Sequence, residues 1–245
     1  GTNRTYTTSI KTGYRILSGF ARVNYDYNYR YMVSVVARYD GISKLSDNRW
    51  GFFPGISAGW NVHEEAFFKD SKFAEVVSLI KPRISYGLNG NVNGIGNFDV
   101  YGKYGSVGAY NGNLGYLNTG VVNSKLRWEK SHTFELGLDL GFFNNRVHMI
   151  MDYYNRTTSD LLTDVNLPEY TGFPSFKTNL GTISNRGFEL EAKVNLLTKK
   201  DWSWDVTANT SFVKNMVKKL PFNGNANNRQ GGSRYGIQNP THWFG

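Results

Sequence analysis

A chain of 245 residues has room for one large all-β domain, and no shift in composition along it marks a second. With 16 Tyr, 16 Phe and 27 Gly but only 6 Pro, it favours strands joined by glycine-rich turns, and the absence of Cys excludes disulfides and thiolate metal sites. The formal charge of +9 would attract polyanions, no apolar run approaches the ~18 residues of a membrane-spanning helix, and the mean hydropathy of −0.46 is of the kind ordinarily found in soluble proteins. A transmembrane barrel escapes that test, because only alternate residues of its strands touch lipid.

The first residues, "GTNRTYTTSI", hold neither an initiator Met nor an apolar signal core, so the expectation is a fragment of a longer precursor. Alternation then begins. In "FARVNYDYNY", Ala21, Val23, Tyr25 and Tyr27 oppose Arg22, Asn24 and Asp26. "YMVSVVARYD" sets Tyr31, Val33, Val35, Ala37 and Tyr39 on one face. "FFPGISAGW" does the same with Phe52, Pro54, Ile56, Ala58 and Trp60. "VHEEAFFKDSKFAEVVS" then stands where a short turn is due and suits a brief helix. "IKPRISYGLN" follows, with Ile80, Ile84, Tyr86 and Leu88 against Lys81, Arg83, Ser85 and Asn89.

The segment from Asn89 to Asn123 is rich in Asn, Gly and Tyr and is predicted to be a long loop. Amide groups hydrogen-bond sugar hydroxyls and aromatic faces pack on sugar C–H surfaces. Asn91, Asn93, Tyr101, Tyr104, Tyr110, Asn113 and Tyr116 are therefore the candidate ligand-binding residues.

The fifth strand runs from about Leu126 to Phe142, with Phe134, Leu136, Leu138, Leu140 and Phe142 against Glu135, Gly137, Asp139 and Gly141. After "NNR" the sixth shows Val147, Met149, Met151 and Tyr153 against Arg146, His148, Asp152 and Tyr154. "TSDLLTDVNLPEYTGFPSFKTNLG" reads as another long loop. The seventh strand sets Phe188 to Leu196 against Glu189, Glu191, Lys193 and Asn195. The eighth sets Trp202, Trp204, Val206, Ala208 and Phe212 against Ser203, Asp205, Thr207, Asn209 and Ser211. The tail "KNMVKKLPFNGNANNRQGGSR" reads as a solvated loop, and no ordered basic array points to nucleic acid.

About eight such stretches, each near or above the ~9–11 residues of a tilted membrane strand, exceed ordinary globular strands. Short turns after Tyr27, Phe143 and Leu197 alternate with long connections, the asymmetry of an outer-membrane barrel. Aromatics gather near strand ends, as girdle residues at a bilayer interface would: Tyr25, Tyr27, Tyr29, Tyr31, Trp60, Phe142, Phe143, Trp202 and Trp204.

No catalytic, cofactor or metal site is expected. "HEEAF" begins like a zinc-binding helix, but Phe67 stands where the second His should, and His132, His148 and His242 are dispersed. Glu135 and Asp139 would share a face about 13 Å apart along a strand, too far for a glycosidase pair. They read as polar lining.

Five blocks in series carry a family resemblance: "SGFARVNYDYNYRYMVSVVARYDGISK"; "FFPGISAGW" with "EEAF"; "KPRISYGLNGN"; "LRWEKSHTFELGLDLGFFNNRVHMIMDYYNRTTSDLL"; and "TGFPSFKTNLGTISNRGFELEAKV". In this order and spacing the sequence resembles the SusC/RagA-like TonB-dependent outer-membrane transporters. It departs at Ile42 to Leu45, where the family commonly has small residues and an aromatic.

The resemblance implies an all-β antiparallel segment of about eight strands from a plugged, roughly 22-stranded barrel. The plug domain and remaining strands would lie outside this chain. It implies active import of a large nutrient, oligosaccharide or peptide, across the outer membrane of a Gram-negative bacterium. The implied partners are TonB, a SusD-like surface lipoprotein and outer-membrane lipid. Two rivals stay open at this point, a passive porin-like channel and a soluble carbohydrate-binding β-sandwich.

Overall fold

The computed structural model describes residues 11–102 and 104–221. Eight strands form one antiparallel meander: β1 (Ile16–Tyr27), β2 (Tyr31–Ile42), β3 (Trp50–Trp60), β4 (Val77–Asn91), β7 (Glu129–Phe142), β8 (Val147–Asn166), β9 (Ser175–Lys199) and β10 (Trp202–Lys219). Between β4 and β7 the chain adds a separate hairpin, β5 (Tyr104–Tyr110) with β6 (Asn113–Asn118). Between β3 and β4 lie two 3-10 turns, Val62–Glu64 and Lys72–Glu75, around a short helix α1 (Ala66–Lys69).

The register explains why the alternation matters. One row crosses all eight strands: Tyr25 pairs with Val33, Val33 with Ala58, Ala58 with Ile84 and Ile84 with Leu136. It continues from Leu136 to Tyr153, Phe188 and Phe212. A slip of one residue in any strand would throw its apolar set onto the other face. The neighbouring row on that other face runs Asp26, Met32, Gly59, Arg83, Gly137, Asp152, Glu189 and Ser211.

The turns at one end follow from local chemistry. Arg30 N–H donates to the Tyr27 carbonyl and Arg146 N–H to that of Phe143, with Asn28, Tyr29, Asn144 and Asn145 all at positive φ. These are mirror-image turns whose twist matches the strands, and Asn tolerates the left-handed region better than most residues. By the asymmetry expected of an outer-membrane barrel, this end is called the inner rim and the end with the long connections the outer rim.

Four expectations need correction. The segment read as a long loop from Asn89 to Asn123 begins inside β4, which runs to Asn91, and holds the β5–β6 hairpin, so Asn91, Tyr104, Tyr110, Asn113 and Tyr116 are strand residues held by backbone pairing. The stretch read as a loop from Thr158 to Gly181 is mostly strand, because β8 and β9 keep pairing past an irregularity at Thr158–Leu162 and leave only residues 167–174 as a tip. The tail read as a loop from Lys214 is part of β10 through Lys219, held by pairing to residues 182–186 of β9; its continuation from Phe222 lies outside the described residues. The fifth strand starts at Glu129 rather than near Leu126, since Leu126 and Trp128 are buried elsewhere.

The β-sandwich rival fails on the same sheet. Ile84 and Leu136 in the apolar row are 46% and 44% exposed, and among the described residues no second sheet covers them. The dry core sits instead at the outer rim: Ile42, Leu45, Phe53, Val92, Ile95, Val100, Leu126 and Trp128.

Candidate functional site

The polar face is grooved. One groove is lined by Asn24, Asp26, Ser34, Lys81, Arg83 and Glu135, and another by Asp152, Glu189, Glu191, Asn209 and Ser211. Arg83 organises the wall between them. Its Nε and Nη2 donate to Asp139 Oδ1 at 3.1 and 2.8 Å, and Nη2 donates to Asp152 Oδ1 at 3.0 Å. Ser85 Oγ lies 3.5 Å from Glu135 Oε2 beside it.

Gly137, on the strand between Arg83 and Asp152, makes this bridge possible. A Cβ there would stand 2.6 Å from Asp152 Oδ1 and 2.7 Å from Arg83 Cζ, so any side chain would push the guanidinium off the wall. Gly187 does the same for Tyr154, whose ring lies within 2.7 Å of where a Cβ would be. Glu135 and Asp139 are thus wall residues, as expected, and what the sequence hid is the arginine that joins Asp139 to Asp152.

The outer rim is assembled from distant segments. Trp128 Nε1–H donates to the Arg49 carbonyl at 3.1 Å and its ring meets Phe53 edge-on at 5.3 Å between centroids. Buried Asn179 accepts from Arg127 N–H at 3.0 Å and donates to the carbonyls of Arg127 and Asp160 at 2.9 and 2.7 Å. The Arg127 guanidinium bonds Asp160 at 2.7 Å, which raises its pKa above the ordinary value. Asp160 has φ of 57° at an irregularity in the β8–β9 ladder, so these contacts fasten a bulge.

The candidate ligand residues fall into two groups. Asn91 donates to Glu129 Oε2 at 2.7 Å and accepts from Asn93 N–H at 3.1 Å, so the pair sits at the base of the loop, with the Asn91 side chain committed. Tyr101, Tyr104 and Tyr116 are exposed. Ser106 pairs with Tyr116 and Tyr104 with Asn118, which puts Tyr104 and Tyr116 on one face of the hairpin. Asn113 pairs with Tyr110 at its tip, and the Tyr110 side chain lies outside the described part. A groove beside the hairpin, lined by Phe98, Gly102, Val121, Asp164, Ser175 and Lys177, includes residues the sequence did not single out.

At the inner rim, Glu65 accepts from Tyr31 Oη–H at 2.6 Å and from Trp60 Nε1–H at 3.1 Å, with Arg30 at 3.4 Å. The hydrogen bond from Tyr31, then that from Trp60, lowers the Glu65 pKa below the ordinary carboxylate value. His63 Nδ1 lies 3.3 Å from the Ile80 carbonyl. Among the described residues no group of three or more His, Asp or Glu is placed to hold a metal ion.

A single sheet, bare and apolar on one side and charged and grooved on the other, is the wall of a transmembrane β-barrel. Its sequence places it within one family: residues 1–242 match the family described as "TonB dependent receptor-like, beta-barrel", and the chain belongs to that family of outer-membrane barrels.

TonB-dependent receptor P3 of Formosa agariphila is 38% identical over 210 residues, covering 84% of this chain and 21% of that protein. TonB-dependent receptor SusC of Bacteroides thetaiotaomicron is 36% identical over 222 residues, 87% of this chain and 22% of that protein. The RagAB peptide importer in its open-open state superposes with a TM-score of 0.78 at 31% identity, covering 85% of this chain and 22% of that one. The chain therefore spans about a fifth of the length of these relatives. Its barrel type is SusC/RagA-like, in a family of receptors and transporters rather than of enzymes.

Proposed function

We propose that the chain is part of the barrel of an active outer-membrane importer of a large polar nutrient. The plug domain and the remaining strands lie outside this chain, and TonB drives transport through them. A SusD-like lipoprotein closes the outer mouth. The observation that carries this reading is the continuous eight-strand antiparallel sheet, with its exposed apolar row on one side and its charged wall on the other, in a chain of SusC/RagA type.

Oligosaccharide is the substrate class that the exposed Tyr101, Tyr104 and Tyr116 support best, with Asn93 and Asn113 as amide partners. RagAB is a peptide importer, which makes peptide the competing class. The test is uptake of labelled oligosaccharide and oligopeptide by cells carrying the full-length protein, with and without TonB. The proposal expects TonB-dependent uptake of oligosaccharide that falls when Tyr104 and Tyr116 are changed to Ala together. TonB-independent passage would make the barrel a passive channel, and TonB-dependent uptake of peptide alone would reassign the substrate.

A further inference from the structure

The segment between β3 and β4 is longer than the other inner-rim connections and exposes aromatic side chains. Phe67 is 63% exposed and Phe73 73%, with Val76 at 44%, while Phe68 between them is buried. In open water such a cluster is unfavourable, and nothing in the described chain covers it.

The position of Glu65 fixes the side of the sheet on which this segment lies. Tyr31 and Trp60 belong to the apolar face, paired with each other and in line with Val33 and Ala58. Their polar tips converge on Glu65 at 2.6 and 3.1 Å, so the segment is fastened to the lipid-facing side rather than folded into the lumen. Tyr27, Tyr31 and Trp60 stack in series with centroids 6.5 and 6.1 Å apart, and Tyr29 is exposed at the same rim. This is the girdle level, where one end of an aromatic residue is in hydrocarbon and the other is wet.

We propose that residues 61–76 form an in-plane membrane anchor that lies in the headgroup layer of the inner leaflet, with Phe67 and Phe73 seated against acyl chains. The occupant is a zwitterionic phospholipid surface. Glu64, Glu65, Asp70 and Glu75 outnumber Lys69 and Lys72, so the segment is net acidic and disfavours an anionic surface, but offers carboxylates to an ammonium group and ammonium groups to a phosphate. The Lys69–Glu64 pair at 2.6 Å and the Glu65 cluster keep its polar side ordered while the aromatic side inserts. The anchor would set the depth of the barrel at one sector of the inner rim. The inference rests on the barrel reading.

The experiment uses the full-length protein on a cysteine-free background, reconstituted in phosphatidylethanolamine-rich vesicles, with single spin labels at Phe67→Cys, Phe73→Cys and Asp70→Cys. Labels at Ile84→Cys and Leu136→Cys report on the barrel itself. Collision with oxygen, which concentrates in lipid, is compared with collision with a water-soluble nickel complex. The expected result is an oxygen-to-nickel ratio several-fold higher at 67 and 73 than at 70.

Greater nickel access at 67 and 73 would overturn the anchor, and so would inaccessibility to both reagents, which means that a protein surface covers them. Failure of labels 84 and 136 to meet oxygen would instead overturn the barrel reading. Hydrogen exchange of the unlabelled protein gives a second readout: residues 61–76 should exchange several-fold more slowly in vesicles than in detergent, and equal exchange would count against the anchor.

Discussion

At the inner rim, consecutive strands are joined by mirror-image turns and by one carboxylate held among girdle aromatics. At the outer rim, segments as far apart as Ile42 and Trp128 are gathered into a dry core, and a buried amide, Asn179, ties the base of β7 to the bulge of β8. The first arrangement is encoded within a few neighbouring residues, while the second exists only once the sheet has formed. The outer rim can therefore carry an exposed hairpin on a packed base, and it should come apart without the wall beneath it.

The largest expected effect follows from Trp128→Ala. Removing a buried indole that also donates a hydrogen bond costs ~3–5 kcal/mol in ordinary cores, and here the loss should be local. Limited proteolysis of the full-length barrel should cut within residues 92–125 while heat-modifiable gel mobility persists. Collapse of the whole barrel would end the distinction between the rims.

Asn179→Ala comes next. It leaves the Arg127 and Asp160 backbone groups without their partner, at a cost of ~1–3 kcal/mol, and amide exchange should quicken near residues 158–181 but not at residues 143–146. Within the wall, Gly137→Ala should detach Arg83 from Asp152 and cost about 1 kcal/mol, the upper end for ion pairs that keep part of their surface in water. Gly120→Ala, where a Cβ would meet nothing within 4 Å, is the control for a small shift in melting temperature.

The smallest effect is at the inner rim and depends on pH. The Glu65 pKa is lower in the folded protein than in the unfolded chain, so its contribution is fully present above the ordinary Glu value of ~4.3 and is lost as pH falls through the folded value. Glu65→Gln should flatten this part of the stability profile, measured by thermal melting between neutral and acidic pH.

The eight strands were legible because each alternates in phase with its neighbours, so the apolar row could be read before any pairing was known. β8 and β9 beyond Thr158 were not, because "TTSDLLTDVN" keeps no steady alternation and Asp160 at positive φ interrupts the ladder. The rim core was hidden for another reason: Leu45, Ile95, Val100 and Leu126 lie in loops, where no period marks a buried side chain. Arg83 could be placed on the polar face, but its partners stand 56 and 69 residues away, and only the register names them. The loop tyrosines were singled out by composition, and the structure adds that Tyr104 and Tyr116 share a face.

The glycines of the wall also bear on clearance. Arg83 lies across Gly137 and Tyr154 across Gly187, so two of the longest side chains on the inner surface run along the wall instead of projecting from it. Each takes up the space that a side chain on the adjacent strand would have filled, which lowers the relief of this face of the sheet and leaves more clearance in front of it.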